Sequence, residues 1–446
     1  MRPAVLSAGT CENLRKKIVD VTNGILMDSS KDIFSKAFTY SAANEVKKSG
    51  LYPFFRVIQS TSGSSVVSGG SHRVMIGSNN YLGFTHHPRV IEAARDAIVR
   101  FGSGCTGSRF LNGNLELHEQ LEAEFVRFLG KPAALVLTTG FLTNLSVISA
   151  ISGRKDVIYS DRENHASIMC AQQMAICETI KFKHNDPADL ERVLEMTRSK
   201  YEGAMIVADG VFSMSGDIFR LDQVARIAKK YGCRVYVDDA HGMGVMGPQG
   251  QGTAHHFGIQ DDVDLIMGTF SKSFASLGGV VAGDETVIDF IRHNARPFIF
   301  SASIPPSAAA TVLECLRILR EEPQHLENLR RNALKMSEGF RSIGFNTLGS
   351  QTPIIPILIG DDLDAFKFAA ALYENGVFAT PVVSPAVPKG CALIRTSYMA
   401  SHRDEDLNYV LEVFEKLGQQ FGITGNAGRQ AELNELASHH FGIQTV

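Results

Sequence analysis

The chain has 446 residues, 44% of them hydrophobic and 20% charged, with a formal net charge of -3. That length suits about two or three domains with ordinary cores, and the near balance of charge argues against nucleic acid or an anionic membrane as the main partner. Seven scattered cysteines without a CxxC pair point to a reducing, cytoplasmic compartment, and no stretch approaches the ~20 apolar residues of a membrane helix or the apolar core of a signal peptide.

Residues 1 to about 45 read as a polar, weakly helical lead-in, and a short strand pattern follows at Arg73–Ile76 before the turn-rich GSNNYLG. Helical patterns run over Pro88–Phe101 and Glu116–Phe128, the second with its charge on one face. Short apolar runs then alternate with helix patterns: Ala133–Leu137, Val157–Ser160, Ala204–Ala208, Arg234–Val237 and Asp264–Met267. Continuous apolar strands separated by helices predict an α/β fold with a mostly parallel sheet covered on both faces. A proline-containing stretch, Ser301–Ala309, opens a long helix to about Glu321. Beyond it the pattern becomes a smaller α+β region with the strand PIIPILI. The resulting division is a lead-in and arm (1–95), a large domain (96–330), a small C-terminal domain (331–421) and a polar tail (422–446) expected to be peripheral or disordered.

Ligands of open α/β sheets sit beyond the carboxyl ends of the strands. The five runs end in TTGFLTN, DRENHAS, DGVFSMSGD, DDAHGMG and GTFSKS. One polar loop means little; five in succession, bearing acids, histidines, hydroxyls and a lysine, suggest a built site. Lys272 lies among small and hydroxyl residues with no charged neighbour in sequence. A lone lysine is ordinarily a solvated surface residue, but this setting suits an amine of lowered pKa that forms a Schiff base. Asp238 ends a buried strand, where a carboxylate needs a partner; a protonated pyridine nitrogen would serve, and the plainer reading is a helix cap. His165 suits a ring stacked on a planar cofactor, although by itself it reads more readily as a hydrogen-bonded structural residue. Gly140 and Phe141 open a helix, an anion site that Thr269 and Ser271 would complete around a phosphate.

Gly242, Gly244 and Gly247 spell GxGxxG, but PQGQGT follows instead of a helix, which argues against a nicotinamide dinucleotide site. The paired histidines His86-His87, His255-His256 and His439-His440 lack a metal spacing, so no metal site is expected. No GxSxG elbow marks a hydrolase.

With SNNYLGF, TGSRFLNGNLELHEQLE, LTTGFLTNLS, DRENHASI, DGVFSMSGD, VDDAHGMGVMG, GTFSKSFASLGG and LIRTSYMASH in place, the chain from about Gly50 to Gly422 resembles the α-oxoamine synthases. These are pyridoxal-phosphate enzymes of aminotransferase fold type I. The resemblance implies a seven-stranded, mostly parallel sheet in the large domain and pyridoxal 5'-phosphate as cofactor. It implies that Lys272 binds the cofactor covalently and moves the α-proton, that Asp238 pairs with the pyridine nitrogen, that His241 bonds the ring oxygen and that His165 stacks on the ring and touches the substrate carboxylate. Gly140, Phe141, Thr269 and Ser271 would hold the phosphate, Asn79 and Arg395 the amino-acid carboxylate. Ser301 would come from the second subunit of a homodimer with shared sites. GSRFLNGN, HNARPFIFSAS and PVVSPAVP point within the family to a member joining L-serine to a long-chain acyl-CoA, with glycine- or alanine-using sisters as the alternative. A transient membrane-surface contact through the lead-in is compatible with that role. A catalytically silent subunit is disfavoured by the presence of Lys272.

Overall fold

The computed structural model describes residues 32–441, so Cys11 and most of the lead-in lie outside the described residues. The chain divides into two units, Met1–Tyr52 and Pro53–Val446. The described part of the first holds two short helices, Ser35–Phe38 and Ala42–Lys48.

The second unit opens with β1 (Ile58–Ser62), β2 (Ser65–Ser68) and β3 (Ser71–Met75), an antiparallel meander. There follow β4 (Ala133–Leu137), β5 (Val157–Asp161), β6 (Glu178–Phe182), β7 (Ala204–Asp209), β8 (Arg234–Asp238), β9 (Leu265–Thr269) and β10 (Gly279–Gly283). They form one sheet in the order β4-β10-β9-β8-β7-β5-β6. Only β10 runs antiparallel to its neighbours. Alternate residues of these strands enter two apolar cores, Val136, Ile206, Val235 and Ile266 on one side, Leu135, Val207, Tyr236 and Met267 on the other. A sheet buried on both faces needs such uninterrupted apolar runs.

Two strands of this sheet are absent from the sequence reading. In β6, ETIKF alternates polar and apolar side chains because it is an edge strand, exposed along much of its length. In β10, GVVAG is short and glycine-flanked, which resembles a loop. Its glycine is sterically required: a Cβ on Gly279 would lie 2.4 Å from Thr143 Oγ1 and 3.0 Å from Gly140 Cα. The helix Gly140–Ile151 therefore starts pressed against β10.

The C-terminal part contributes β11 (Ile354–Gly360), β12 (Val377–Phe378), β13 (Thr380–Val382) and β14 (Ala392–Ser397). β11, β14 and β13 form a three-stranded antiparallel sheet. β12 instead pairs in parallel with β3, Val377 opposite Val74. The arm and the C-terminal region thus share a sheet, and Arg73 Nε donates to Tyr373 O at 2.9 Å. As far as Phe441 the tail is mostly helical, where peripheral or disordered chain is expected. Ala427–Phe441 is a helix that buries Leu433 and Ala437 against the C-terminal core; its few apolar side chains, diluted by AELNELASHH, hide the buried stripe. Among the described residues no helix is long and apolar enough to cross a membrane.

Leu433→Ala should lower stability by about 2–5 kcal/mol, the usual cost of a buried leucine truncation, seen as an earlier denaturant midpoint for the C-terminal region. An unchanged midpoint would mean that the helix is not docked.

Candidate active site

The carboxyl ends of β4, β5, β7, β8 and β9 surround a cavity of about 250 Å³. Lys272, Asp238, His241, His165, Gly140, Phe141, Thr269 and Ser271 all line it, together with Asp209 and Ser213. A larger recess, about 640 Å³, shares no lining residue with it and contains no acid or lysine.

Lys272 follows β9 directly. Its amine opens onto the cavity yet is otherwise enclosed by protein, and burial lowers its pKa to about 8. Asp238 and Asp209 oppose that shift, while the Arg395 charge assists it. A lysine so poised is a far better base and nucleophile near neutral pH than a solvated one.

Asp238 ends β8 and is 3% exposed. Its Oδ2 accepts from Asn144 Nδ2 at 2.6 Å, and its Oδ1 from Ala240 N at 3.0 Å. Asn144 also donates to Ser167 Oγ at 2.8 Å and accepts from the Tyr236 hydroxyl. Ser167 in turn lies 2.7 Å from His165 Nδ1. One amide therefore orients the carboxylate and, through a serine, the histidine. His165 caps the helix Ala166–Met174, and its backbone N donates to Asp209 Oδ2 at 2.7 Å. Burial lowers the pKa of His165, partly offset by Asp238. Asp209 is buried, and burial together with the Asp238 charge pushes its pKa well up.

His241 is buried with Nδ1 2.7 Å from the Tyr81 hydroxyl. Burial, then the charges of Lys272 and Arg395, hold its pKa well below the usual imidazole value, so it stays neutral. Arg395 comes from β14 and is 9% exposed. It donates Nη2–H to Asn79 Oδ1 at 2.9 Å and Nε–H to Ser213 O at 2.6 Å. The Tyr81 hydroxyl reaches the same Asn79 oxygen at 3.3 Å. Asn79 and Arg395 are thus joined to each other and, through Tyr81, to His241.

At the other end of the cavity, Thr269 Oγ1 lies 3.0 Å from Ser271 Oγ, facing the start of the helix Gly140–Ile151. A Cβ on Gly140 would stand 2.7 Å from Thr269 Oγ1, so only glycine lets the helix terminus and the hydroxyls share this corner. Helix N–H groups, two hydroxyls, a buried amine, a carboxylate and a neutral histidine suit an anion-bearing pyridine aldehyde.

Ser301 does not line this cavity in the single chain. It borders a small recess with Thr138, Arg109 and His118. Asn144, Tyr81, Ser167, Asp209 and Ser213 are missing from the sequence reading. Asn144 and Ser167 sit inside quoted segments, TTGFLTN and DRENHAS, but at helix positions that ordinarily face a core. The second acid of VDDAHG, Asp239, serves its own loop. It accepts from Thr253 N and Oγ1, each at 2.6 Å, and burial raises its pKa to about 7. A Cβ on Gly242 would fall 1.8 Å from its Oδ1 and one on Gly244 2.3 Å from Ser273 Cβ, so these glycines answer to local packing and not to a dinucleotide.

In protein freed of small-molecule amines and cofactor, amine-reactive labelling of Lys272, followed by peptide mass spectrometry, should show a midpoint near pH 8. Ordinary lysines titrate near ~10.4. Asp238→Asn removes the charge that raises the value, so its midpoint should fall further. A midpoint at the ordinary lysine value in both proteins would refute the burial argument.

Residues 72–414 match the family described as aminotransferase class I and II. The chain is 53% identical over 412 residues to a serine palmitoyltransferase of Bacteriovorax stolpii, covering 92% of this chain and 97% of that one. It is 42% identical to an 8-amino-7-oxononanoate synthase of Thermoanaerobacter pseudethanolicus over 86% of this chain and 98% of the relative. Among solved structures, a serine palmitoyltransferase of Sphingomonas wittichii superposes with a TM-score of 0.85 at 34% identity, covering 88% of this chain and 100% of that chain. A high-resolution structure of SPT with PLP internal aldimine superposes equally well, with a TM-score of 0.85 at 33% identity over the same shares.

Proposed function

The chain belongs to the aminotransferase class I and II family, as a pyridoxal-phosphate-dependent α-oxoamine synthase of fold type I, and from that premise we propose that it joins L-serine to a long-chain acyl-CoA, releasing coenzyme A and carbon dioxide and forming 3-ketodihydrosphingosine. The observation that supports this most is the 53% identity to a serine palmitoyltransferase over nearly the whole chain, against 42% for the synthase of the sister class. The six described cysteines are all free, in keeping with a reducing, cytoplasmic setting.

When bound, pyridoxal 5'-phosphate supplies an electron sink for charge developing at the α-carbon of the amino acid. Lys272 would hold it, with Thr269, Ser271, Gly140 and Phe141 at its phosphate and Asp238 facing its ring nitrogen. Asn144, itself anchored by Tyr236, fixes the Asp238 carboxylate so that its charge lies ready where a protonated nitrogen needs it. His241 is neutral and positioned by Tyr81, so it can donate or accept at a ring oxygen without adding charge. His165, beside Phe141 with ring centroids 6.5 Å apart, would cover the ring and touch the substrate carboxylate. Arg395 and Asn79 would bind that carboxylate, the guanidinium by charge and the amide by hydrogen bonding. Lys272, with its pKa near 8, can take the α-proton of the amino acid and return it later.

The second reading is an α-oxoamine synthase for another amino acid, such as an 8-amino-7-oxononanoate synthase, which the relative at 42% identity favours. Titrating the holoenzyme with L-serine, glycine, L-alanine and L-threonine while following its visible absorption separates the two. Saturation at the lowest concentration with serine supports the proposal, and product formation from serine and palmitoyl-CoA completes it. Tighter saturation with alanine or glycine transfers the chain to the sister class.

We also propose a homodimer in which Ser301 serves the partner's site. Phe300, Leu111 and Phe110 are 83%, 78% and 52% exposed around this segment, an arrangement a second copy would cover. Leu111→Glu should then give monomers by analytical ultracentrifugation and cut the turnover rate. A fully active Leu111→Glu monomer would contradict the shared site.

A further inference from the structure

One of the histidine pairs set aside for want of a metal spacing, His86-His87, acquires a carboxylate and a second imidazole from more than 230 positions along the chain. His87 precedes the helix Pro88–Phe101, Glu322 ends the helix Pro306–Glu321, and His325 lies in the first turn of Gln324–Ile343. One ligand atom from each falls within 4.8 Å of the other two. His325 Nε2 is 3.3 Å from Glu322 Oε2, and His87 Nε2 is 4.0 Å from the same oxygen. We propose that His87, Glu322 and His325 form a binding site for a divalent transition-metal ion, zinc by its ligand preference, separate from the Lys272 cavity.

Three features favour an ion over a chance cluster. First, His87 lacks ordinary partners: its Nδ1 is buried with no hydrogen bond, and its Nε2 stands beyond hydrogen-bond length from the nearest carboxylate. Second, Glu322 is oriented from behind. Arg89 Nη1 donates to Oε1 at 2.9 Å and is itself fixed by Glu314 and Glu321 at 2.7 and 2.8 Å, leaving Oε2 turned to the imidazoles. Such outer partners commonly set the aim of a ligating carboxylate. Third, the ring of Phe84 abuts both imidazoles, with centroids 5.0 Å from His325 and 6.0 Å from His87.

Tetrahedral zinc with bonds of about 2.0–2.2 Å places its ligand atoms roughly 3.4 Å apart. The 3.3 and 4.0 Å separations approach that spacing. The amide of Gln324, which donates to Glu322 Oε2 at 3.3 Å, would give way. All three side chains are partly open to solvent, 19%, 28% and 23%, which leaves an entry path and a position for water. Two imidazoles and a carboxylate suit zinc and its first-row neighbours better than calcium or magnesium. The ion would fasten the end of the segment bearing Asn79 and Tyr81 to the joint between two long helices.

Zinc titration of metal-depleted holoenzyme by calorimetry, with circular dichroism as a check on folding, tests the site. We expect one zinc ion per chain in this class and a rise in melting temperature on binding. His325→Gln and His87→Ala should each weaken that class roughly tenfold or more, while the double variant His255→Ala/His256→Ala should leave it intact. Should His87→Ala fail to fold, His325→Gln decides alone, because glutamine keeps a polar side chain of similar reach at this half-buried position. No uptake at millimolar zinc, or equal affinity in wild type and folded His325→Gln, overturns the proposal.

Discussion

Burying Asp238 costs free energy unless each oxygen of its carboxylate is partnered, and the partners available determine how the neighbouring elements must lie. Asn144 reaches Oδ2 from a helix that starts tight against β10, where Gly279 leaves room, and against β9, where Gly140 does. The same amide bonds Tyr236 on the strand and Ser167 on the next helix. Three helical or strand segments are therefore positioned by one carboxylate, and the anion corner at Thr269 and Ser271 opens where that packing ends. The burial that makes the carboxylate demanding also loosens the hold of the Lys272 amine on its proton. Charge, packing and reactivity at this site have a common origin in the low polarity beneath the strand ends.

A second linkage joins distant parts of the chain. Asn79 follows β3, Arg395 lies on β14, and Tyr81 extends the contact to His241 beyond β8. Asn79 and Arg395, the pair proposed to bind the amino-acid carboxylate, are thus supported by the arm and the C-terminal region, while the groups proposed to hold the cofactor belong to the large sheet. Both halves meet at a neutral imidazole.

Much of this architecture is legible in the amino-acid order. Five strands announce themselves because a sheet covered on both faces needs continuous apolar runs, and the residues after each run supply Lys272, Asp238, His241 and His165. The edge strand β6 and the glycine-flanked β10 are not legible, since half-exposed or side-chain-poor strands lack that signature. Asn144 and Tyr81 escape for a different reason. Each looks like an ordinary helix or turn residue until three-dimensional proximity gives it an acid or an imidazole to bond. Asp239 shows the converse: an acid beside the site in sequence that serves only Thr253 and its own loop. The GxGxxG spelling belongs to that loop.

The parallel pairing of β3 with β12 bears on how the protein is made. Arg73 on β3 and Tyr373, on the helix just before β12, are hydrogen-bonded and 300 residues apart. During synthesis the arm must wait, its apolar strand edge unpaired, while the whole seven-stranded sheet emerges and is able to fold. Only when the C-terminal region leaves the ribosome can Asn79 find Arg395. A nascent or truncated chain could therefore assemble Lys272, Asp238 and the Thr269–Ser271 corner well before it owned the Asn79–Arg395 pair proposed to grip the amino acid. On the roles proposed for Asn79 and Arg395, substrate selectivity would be the last property this polypeptide acquires.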